Sequence, residues 1–195
     1  MNNLKTRDQL IVAAKQLFIK KGYDDTTMTD IAIESGLSRR TLYTYFESKV
    51  EIYQAVINSE TDYVIEKLTA IASKPLNPKL KITEFLYSRF AIVKEVVDRN
   101  GSLRSEFFRN IFGVEHFRKD FDLKERQLLQ QIISEGKESG VFDVTSVWRT
   151  SEVIQYCLRG FEAPYIRGTI WRNNTCEEMR FETQKLIFGI LGCSN

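Results

Sequence analysis

Apolar residues recur along this chain at spacings of three and four rather than two, and its first 74 residues contain no proline. That periodicity predicts helix nearly throughout and no strand. A first helix is expected from about Thr6 to Lys21, with Leu10, Ala13, Ala14, Leu17 and Phe18 on one face. Gly22 stops it, and Lys20 and Lys21 suit the negative end of its dipole. Start and stop signals then crowd together. Thr27 and Asp30 have the spacing of a capping box, opening a short helix that carries Ile31 and Ala32. Gly36 closes that helix, Leu37 faces inward, and Ser38 caps a second short helix with Leu42 and Phe46. Ser48 and Glu51 form another capping box, opening a long helix through Ile52, Ala55 and Val56. Two short helices joined by a glycine turn, braced by two longer ones, make a helix-turn-helix unit.

Pro75 and Pro78 interrupt the pattern. With Asn77 as cap and Pro78 at the first helical position, a helix is expected to run to about Asn100 and stop at Gly101. A shorter amphipathic piece spans Leu103 to Phe112, and long helices follow from about Glu115 to Ser139 and from Val144 to about Gly168. Pro164 is expected to kink the latter or cut it short. The last helix covers roughly Thr175 to Leu191. The fold class is all-α, with a head over residues 1–50 and a second helical domain over residues 51–195.

Composition adds little until it is divided by position. Against 28 Lys+Arg the chain sets 26 Asp+Glu, and a net charge of +2 is too small to draw a polyanion by bulk attraction. The whole excess lies in the first 50 residues, which hold 8 cations and 6 anions, while the remainder holds 20 of each. Cys157, Cys176 and Cys193 are too few and too scattered for a disulfide framework or a metal site, and suit reduced thiols in the cytoplasm. No apolar run approaches the roughly 18 residues that cross a bilayer, and MNNLKTRDQL lacks the apolar core of a secretory signal. A single histidine, His116, and the absence of G-x-S-x-G, P-loop and dinucleotide-binding glycine patterns leave no catalytic constellation, no metal set and no cofactor to expect.

A helix-turn-helix suits DNA because its second helix fits the major groove, where its first residues meet base edges while flanking residues hold phosphates. Arg39 and Arg40 occupy the first turn of that helix, where a guanidinium makes a bidentate contact to guanine. Thr44 stands a turn further on, and Tyr43, Tyr45, Thr27 and Thr41 bring hydroxyls. Tyr45 serves equally well as a packing residue. Lys49 opens the next helix, where amides and ammonium together favour phosphate.

The run TTMTDIAIESGLSRRTLYTYFESKVEIYQAVI, residues 26–57, resembles the N-terminal DNA-binding region of the TetR family of transcriptional regulators, of the TetR/AcrR type. It carries that family's threonine before the first short helix (Thr27), its Ile31-Ala32 pair and its turn Ser35-Gly36-Leu37. It also has the pattern Ser38, Thr41, Leu42, Tyr43, Tyr45, Phe46, followed by Ser48 and Lys49. Two positions depart from it: Arg40 stands where many members have glycine, and Val50 where an acidic residue is common. The resemblance implies that Thr27, Thr29, Ser38, Arg39, Arg40, Thr41, Tyr43, Thr44, Tyr45 and Lys49 contact DNA.

It further implies that the second domain binds a small-molecule effector and forms a homodimer through the last two helices. The helix from Pro78 is apolar on two sides, Ile82, Phe85, Leu86 and Val93 on one and Tyr87 and Phe90 on another, and is expected to be central. With Phe107, Phe108, Phe112, Trp148, Tyr156 and Phe161 it offers enough aromatic surface to line a cavity or to fill an ordinary core. Arg89, on the apolar stripe, is either the counter-charge of an anionic ligand or the partner of a nearby acid such as Glu84. Two readings stand: a ligand-responsive regulator, as a repressor, released from a pseudo-palindromic double-stranded DNA operator, or a ligand-binding or scaffolding protein of the same fold that no longer binds DNA.

Overall fold

The computed structural model describes residues 2–100, 115–167 and 176–193, and the side chains of 5–100, 119–167 and 181–193. Among the described residues the protein is all-α. The described residues form eight helices: α1 (Asn2–Lys21), α2 (Met28–Glu34), α3 (Arg39–Tyr45), α4 (Lys49–Ala72), α5 (Pro78–Arg99), α6 (Glu115–Glu138), α7 (Val147–Arg167) and α8 (Cys176–Ile190). The short amphipathic piece expected at Leu103 to Phe112 lies outside the described residues. No helix among the described residues is long and apolar enough to cross a membrane.

The described residues form two compact units that do not follow a single cut at residue 50. The first takes residues 2–63, 96–100 and 115–117, and the second takes 64–95, 118–167 and 176–193. Helices α4 and α5 therefore each have residues in both units.

In the first unit the expected apolar face of α1 is buried: Leu10, Ala13, Ala14, Leu17 and Phe18 join Ile31, Ala32, Leu42, Phe46, Ile52 and Val56. The rings of Phe18, Tyr23 and Tyr53 close a triangle with centroids 4.8–5.6 Å apart. Helix α1 starts at Asn2, a turn before the expected Thr6, and Gly22 ends it at φ +86°, a left-handed value that favours glycine.

In the second unit, α5 is buried on more than one side. Ile82, Phe85, Leu86, Phe90 and Val93 are enclosed, with Leu68 of α4, Leu129, Ile132 and Ile133 of α6, Ile154 and Leu158 of α7, and Ile187 and Leu191. Two local expectations change. Helix α7 begins at Val147, not Val144, because Asp143 gives its N–H to the Leu191 carbonyl and Ser146 supplies the cap, its Oγ accepting from the Arg149 N–H. Pro164 does not end α7, which continues to Arg167; so near the helix end, its missing N–H removes only one late hydrogen bond.

Gly136, inside α6, has a packing role that periodicity does not reveal. The chain after the helix folds back, so that the N–H groups of Val141 and Phe142 both reach the Gly136 carbonyl, at 2.8 and 3.0 Å. The buried Phe142 ring then lies where a side chain at 136 would stand: a Cβ there would be 1.9 Å from Phe142 Cδ2. Gly136→Ala should therefore destabilise the protein by about 1–3 kcal/mol, the usual cost of overpacking a filled site, measured by urea unfolding. An unchanged midpoint would contradict this packing.

Candidate nucleic-acid interface

Helices α2 and α3 have seven residues each, too few to persist alone. Side-chain caps and a glycine turn hold them. Thr27 Oγ1 accepts from the Asp30 N–H, and the Asp30 carboxylate accepts from the Thr27 N–H at 2.8 Å and its hydroxyl at 2.7 Å. The expected capping box is thus complete. Lys21 adds an ion pair to the same carboxylate at 2.7 Å. At the other end of α2, Gly36 takes φ +67°, the Gly36 N–H reaches the Ile33 carbonyl, and the Leu37 N–H reaches Ala32. These are the two hydrogen bonds of a Schellman stop. Ser38 then caps α3 by accepting from the Thr41 N–H at 3.0 Å. At α4, Ser48 Oγ accepts from the Glu51 N–H, but the Glu51 carboxylate takes the N–H of Glu47 rather than of Ser48.

At about 100° per residue, Arg39, Tyr43, Arg40 and Thr44 share one arc of α3, and Leu42, Tyr45 and Thr41 share the other. Exposure divides the helix the same way: the first four are exposed, Leu42 is buried, and Thr41 and Tyr45 are half-buried. Tyr45, open to either reading from sequence, lies on the packing side. Thr27 and Ser38 are exposed and Thr29 half-buried. Four hydroxyls are engaged locally: Thr27 and Ser38 in caps, Thr41 with the Ser38 hydroxyl at 2.8 Å, and Thr44, which donates to the Arg40 carbonyl at 3.0 Å.

Lys49, at the start of α4 as expected, is held locally: its Nζ donates to the carbonyls of Tyr23 at 2.8 Å and Asp24 at 3.2 Å and lies 4.3 Å from the Tyr23 ring centre. It ties the start of α4 to the loop before α2, so it acts on α2 and α3 through the backbone. A second tie escaped sequence reading: Gln9 of α1 donates to the Ser35 carbonyl in the turn, at 2.6 Å. No local signal reveals a pair 26 residues apart.

The candidate ligand residues of the second unit divide differently. Arg89 is fully buried and is not a free counter-charge. Its Nε donates to Glu125 of α6 at 2.5 Å and its Nη2 to Glu162 of α7 at 2.6 Å, while the anticipated Glu84 pairs with Lys74 instead. Burial disfavours its charge, but the two carboxylates outweigh that and keep it firmly cationic. Tyr156, expected to line a cavity, is 58% exposed on α7 with the Arg159 guanidinium over its ring, and Trp148 is exposed too. A helix face with polar and apolar residues at mixed spacing did not reveal which side turned outward. Phe90 is buried 5.4 Å from the Tyr165 ring, Phe161 is half-buried, and the half-buried Tyr87 donates its hydroxyl to Gln184 of α8 at 2.5 Å. Phe107, Phe108 and Phe112 lie outside the described residues, as does the side chain of His116.

The Thr27–Asp30 cap has a pH signature. Lys21 above all, then the Thr27 hydroxyl and N–H, hold the Asp30 carboxyl well below its ordinary value of 3.8. A depressed carboxylate stabilises the fold above the unfolded value and loses that contribution as pH falls through the folded one. The stability gap between wild type and Asp30→Asn should be full above about pH 4 and close as the solution is acidified below it, read from thermal unfolding. A gap indifferent to pH would show that the carboxylate charge does not hold the cap.

Comparison with known proteins agrees with this geometry. A model of the family described as bacterial regulatory proteins, tetR family, matches residues 10–56, which span most of α1 through the first turns of α4. An uncharacterised helix-turn-helix regulator of Bacillus subtilis, YfiR, is 29% identical over 140 residues, covering 68% of each chain. The repressor KstR2 of Mycolicibacterium smegmatis is 26% identical over 174 residues, covering 85% of this chain and 76% of that protein. Among solved structures, a transcriptional regulator of the TetR/AcrR family from Thermobifida fusca superposes with a TM-score of 0.68 at 23% identity, covering 97% of this chain and 98% of the other, which supports the shared all-α fold. The capped α2–turn–α3 unit, its outward arginines and these matches together support a TetR-family transcriptional regulator.

Proposed function

We propose that this protein is a cytoplasmic, homodimeric repressor that holds a pseudo-palindromic operator with two copies of α3 and lets go when a small molecule occupies its second unit. The observation that carries the DNA-binding part is the exposed arc of Arg39, Arg40, Tyr43 and Thr44 on a helix whose other arc is buried or half-buried. Arg39 and Arg40 stand in its first turn, the part of a recognition helix that meets base edges. The exposed Ser38 and the half-buried Thr29 and Thr41 flank them as phosphate donors, and Thr27, whose N–H and hydroxyl both go to Asp30, sets the start of α2 beside them. Two such helices about 34 Å apart would meet successive major-groove faces.

Dimerisation through the last two helices draws support from large exposed apolar residues on them: Trp148, Val153 and Tyr156 of α7, and Phe181 and Leu186 of α8. This reading also explains why Tyr156 faces outward. The effector must favour the DNA-incompetent spacing by its differential affinity. The buried Arg89 pairs argue against a simple anion clamp there, since an incoming carboxylate would meet Glu125 and Glu162 as well as the guanidinium.

The test is a gel shift of the protein's own upstream DNA across a salt series. Binding should be sequence-selective and weaken steeply with salt. Arg40→Ala should cost about 1–3 kcal/mol per half-site on the selected sequence and much less on random DNA. Equal losses on both would remove Arg40 as a base reader, and no selective shift by the wild type would favour the second reading, a helical ligand-binding protein without an operator.

A further inference from the structure

Glu60 lies on α4 within the first unit and is only 4% exposed. One carboxylate oxygen pairs with Lys15 of α1. The other accepts from Arg99, the last residue of α5, through Nη2 at 2.7 Å and Nε at 3.1 Å, and from Asn100 Nδ2 at 3.2 Å. Burial pushes the Glu60 carboxyl up, but the hydrogen bonds from Lys15, Arg99 and Asn100 outweigh it, and its pKa lies below the ordinary carboxylate value. It therefore remains an anion out of water, and such a charge cannot lose its partners without a large penalty. Its contacts are held or exchanged together.

Two features give this cluster a consequence for DNA. Helix α1, held by Lys15, carries Gln9 a turn and a half earlier, and Gln9 donates to the Ser35 carbonyl in the turn between α2 and α3. Helix α5 has its residues through Glu95 in the second unit and those from Val96 in the first, so its last turn is the portion that reaches Glu60. Polar contacts thus run from the end of α5 through Glu60 and α1 to the backbone of the reading unit.

We propose that Glu60 is a positioning residue for DNA recognition: it touches no DNA, but sets α1 against α4, and hence the α2–turn–α3 unit, under the control of Arg99 and Asn100. A displacement of α5 reaches the recognition helix by this joint. The proposal rests on the DNA-binding reading above and adds the residue through which the second unit acts on it. The joint has no part in phosphate contact, which separates its effect from that of the exposed cations.

Glu60→Gln keeps the shape and removes the charge. Arg99→Gln leaves the Lys15–Glu60 pair in place and serves if the first variant fails to fold. In the full chain, with folding checked by circular dichroism, binding is measured by fluorescence anisotropy to a labelled duplex from the protein's own upstream region and to a random duplex of equal length. Each folded variant should bind the upstream duplex at least about tenfold more weakly, bind the random duplex within about twofold of wild type, and keep the same salt slope, because no phosphate contact is lost. The double variant should lose little more than either single one. By reciprocity, the upstream duplex should slow amide exchange at residues 96–100 in wild type and not in Arg99→Gln. Folded variants with lowered melting temperature but unchanged affinity for the upstream duplex would overturn the proposal, as would a changed salt slope or wild-type exchange at 96–100 that ignores DNA. A wild type that prefers neither duplex would instead overturn the DNA-binding reading itself, whatever the variants do.

Discussion

Two helices of seven residues cannot hold themselves, and the first unit is organised around that constraint. Each end of α2 and the start of α3 is closed by a specific group: the Thr27–Asp30 box, the left-handed Gly36 and the Ser38 cap. Caps secure the backbone but leave the pair's orientation open. Orientation comes from burial of Ile31, Leu42 and Phe46 against α1 and α4, and from two polar ties, Gln9 to Ser35 and Lys49 to Tyr23 and Asp24. What remains exposed on α3 is an arc with two arginines, and that arc is the part available to a ligand as large as DNA.

Several charges that a one-dimensional reading leaves facing solvent or ligand are engaged inside the protein. Lys49 is directed to carbonyls and a ring, Glu60 to three donors, and Arg89 to two carboxylates. The small net charge acquires a different meaning from this. The surplus of two cations is not a diffuse field; affinity for a polyanion must come from a few placed groups, chiefly Arg39 and Arg40, together with hydroxyl and amide donors. Arg40 has the largest effect on this account, because it stands on the exposed arc in the first turn of α3.

The parts legible in the sequence are those set by near neighbours. The Thr27–Asp30 spacing, Gly36 before Leu37, and Ser38 before two arginines each act within five residues, and each appears where expected. The apolar faces of α1 and α5 are similarly local, since periodicity alone assigns them. The parts that were not legible join residues far apart in the chain: Glu60 meets a partner 39 positions on, and Arg89 one 73 positions on. No spacing rule selects Glu125 and Glu162 over Glu84 for Arg89, because the choice depends on which helices pack together. Tyr156 failed for a related reason: an aromatic residue on an amphipathic helix fits a cavity or a subunit interface equally well until burial is known.

The central claim is that the outward arc of α3 reads DNA in pairs. A hydroxyl-radical footprint of the protein on its own upstream region tests it most directly. The account predicts two protected stretches on one face of the duplex, centred about one helical turn, or about 34 Å, apart. No protection at any protein concentration, or protection spread evenly along the fragment, would contradict it.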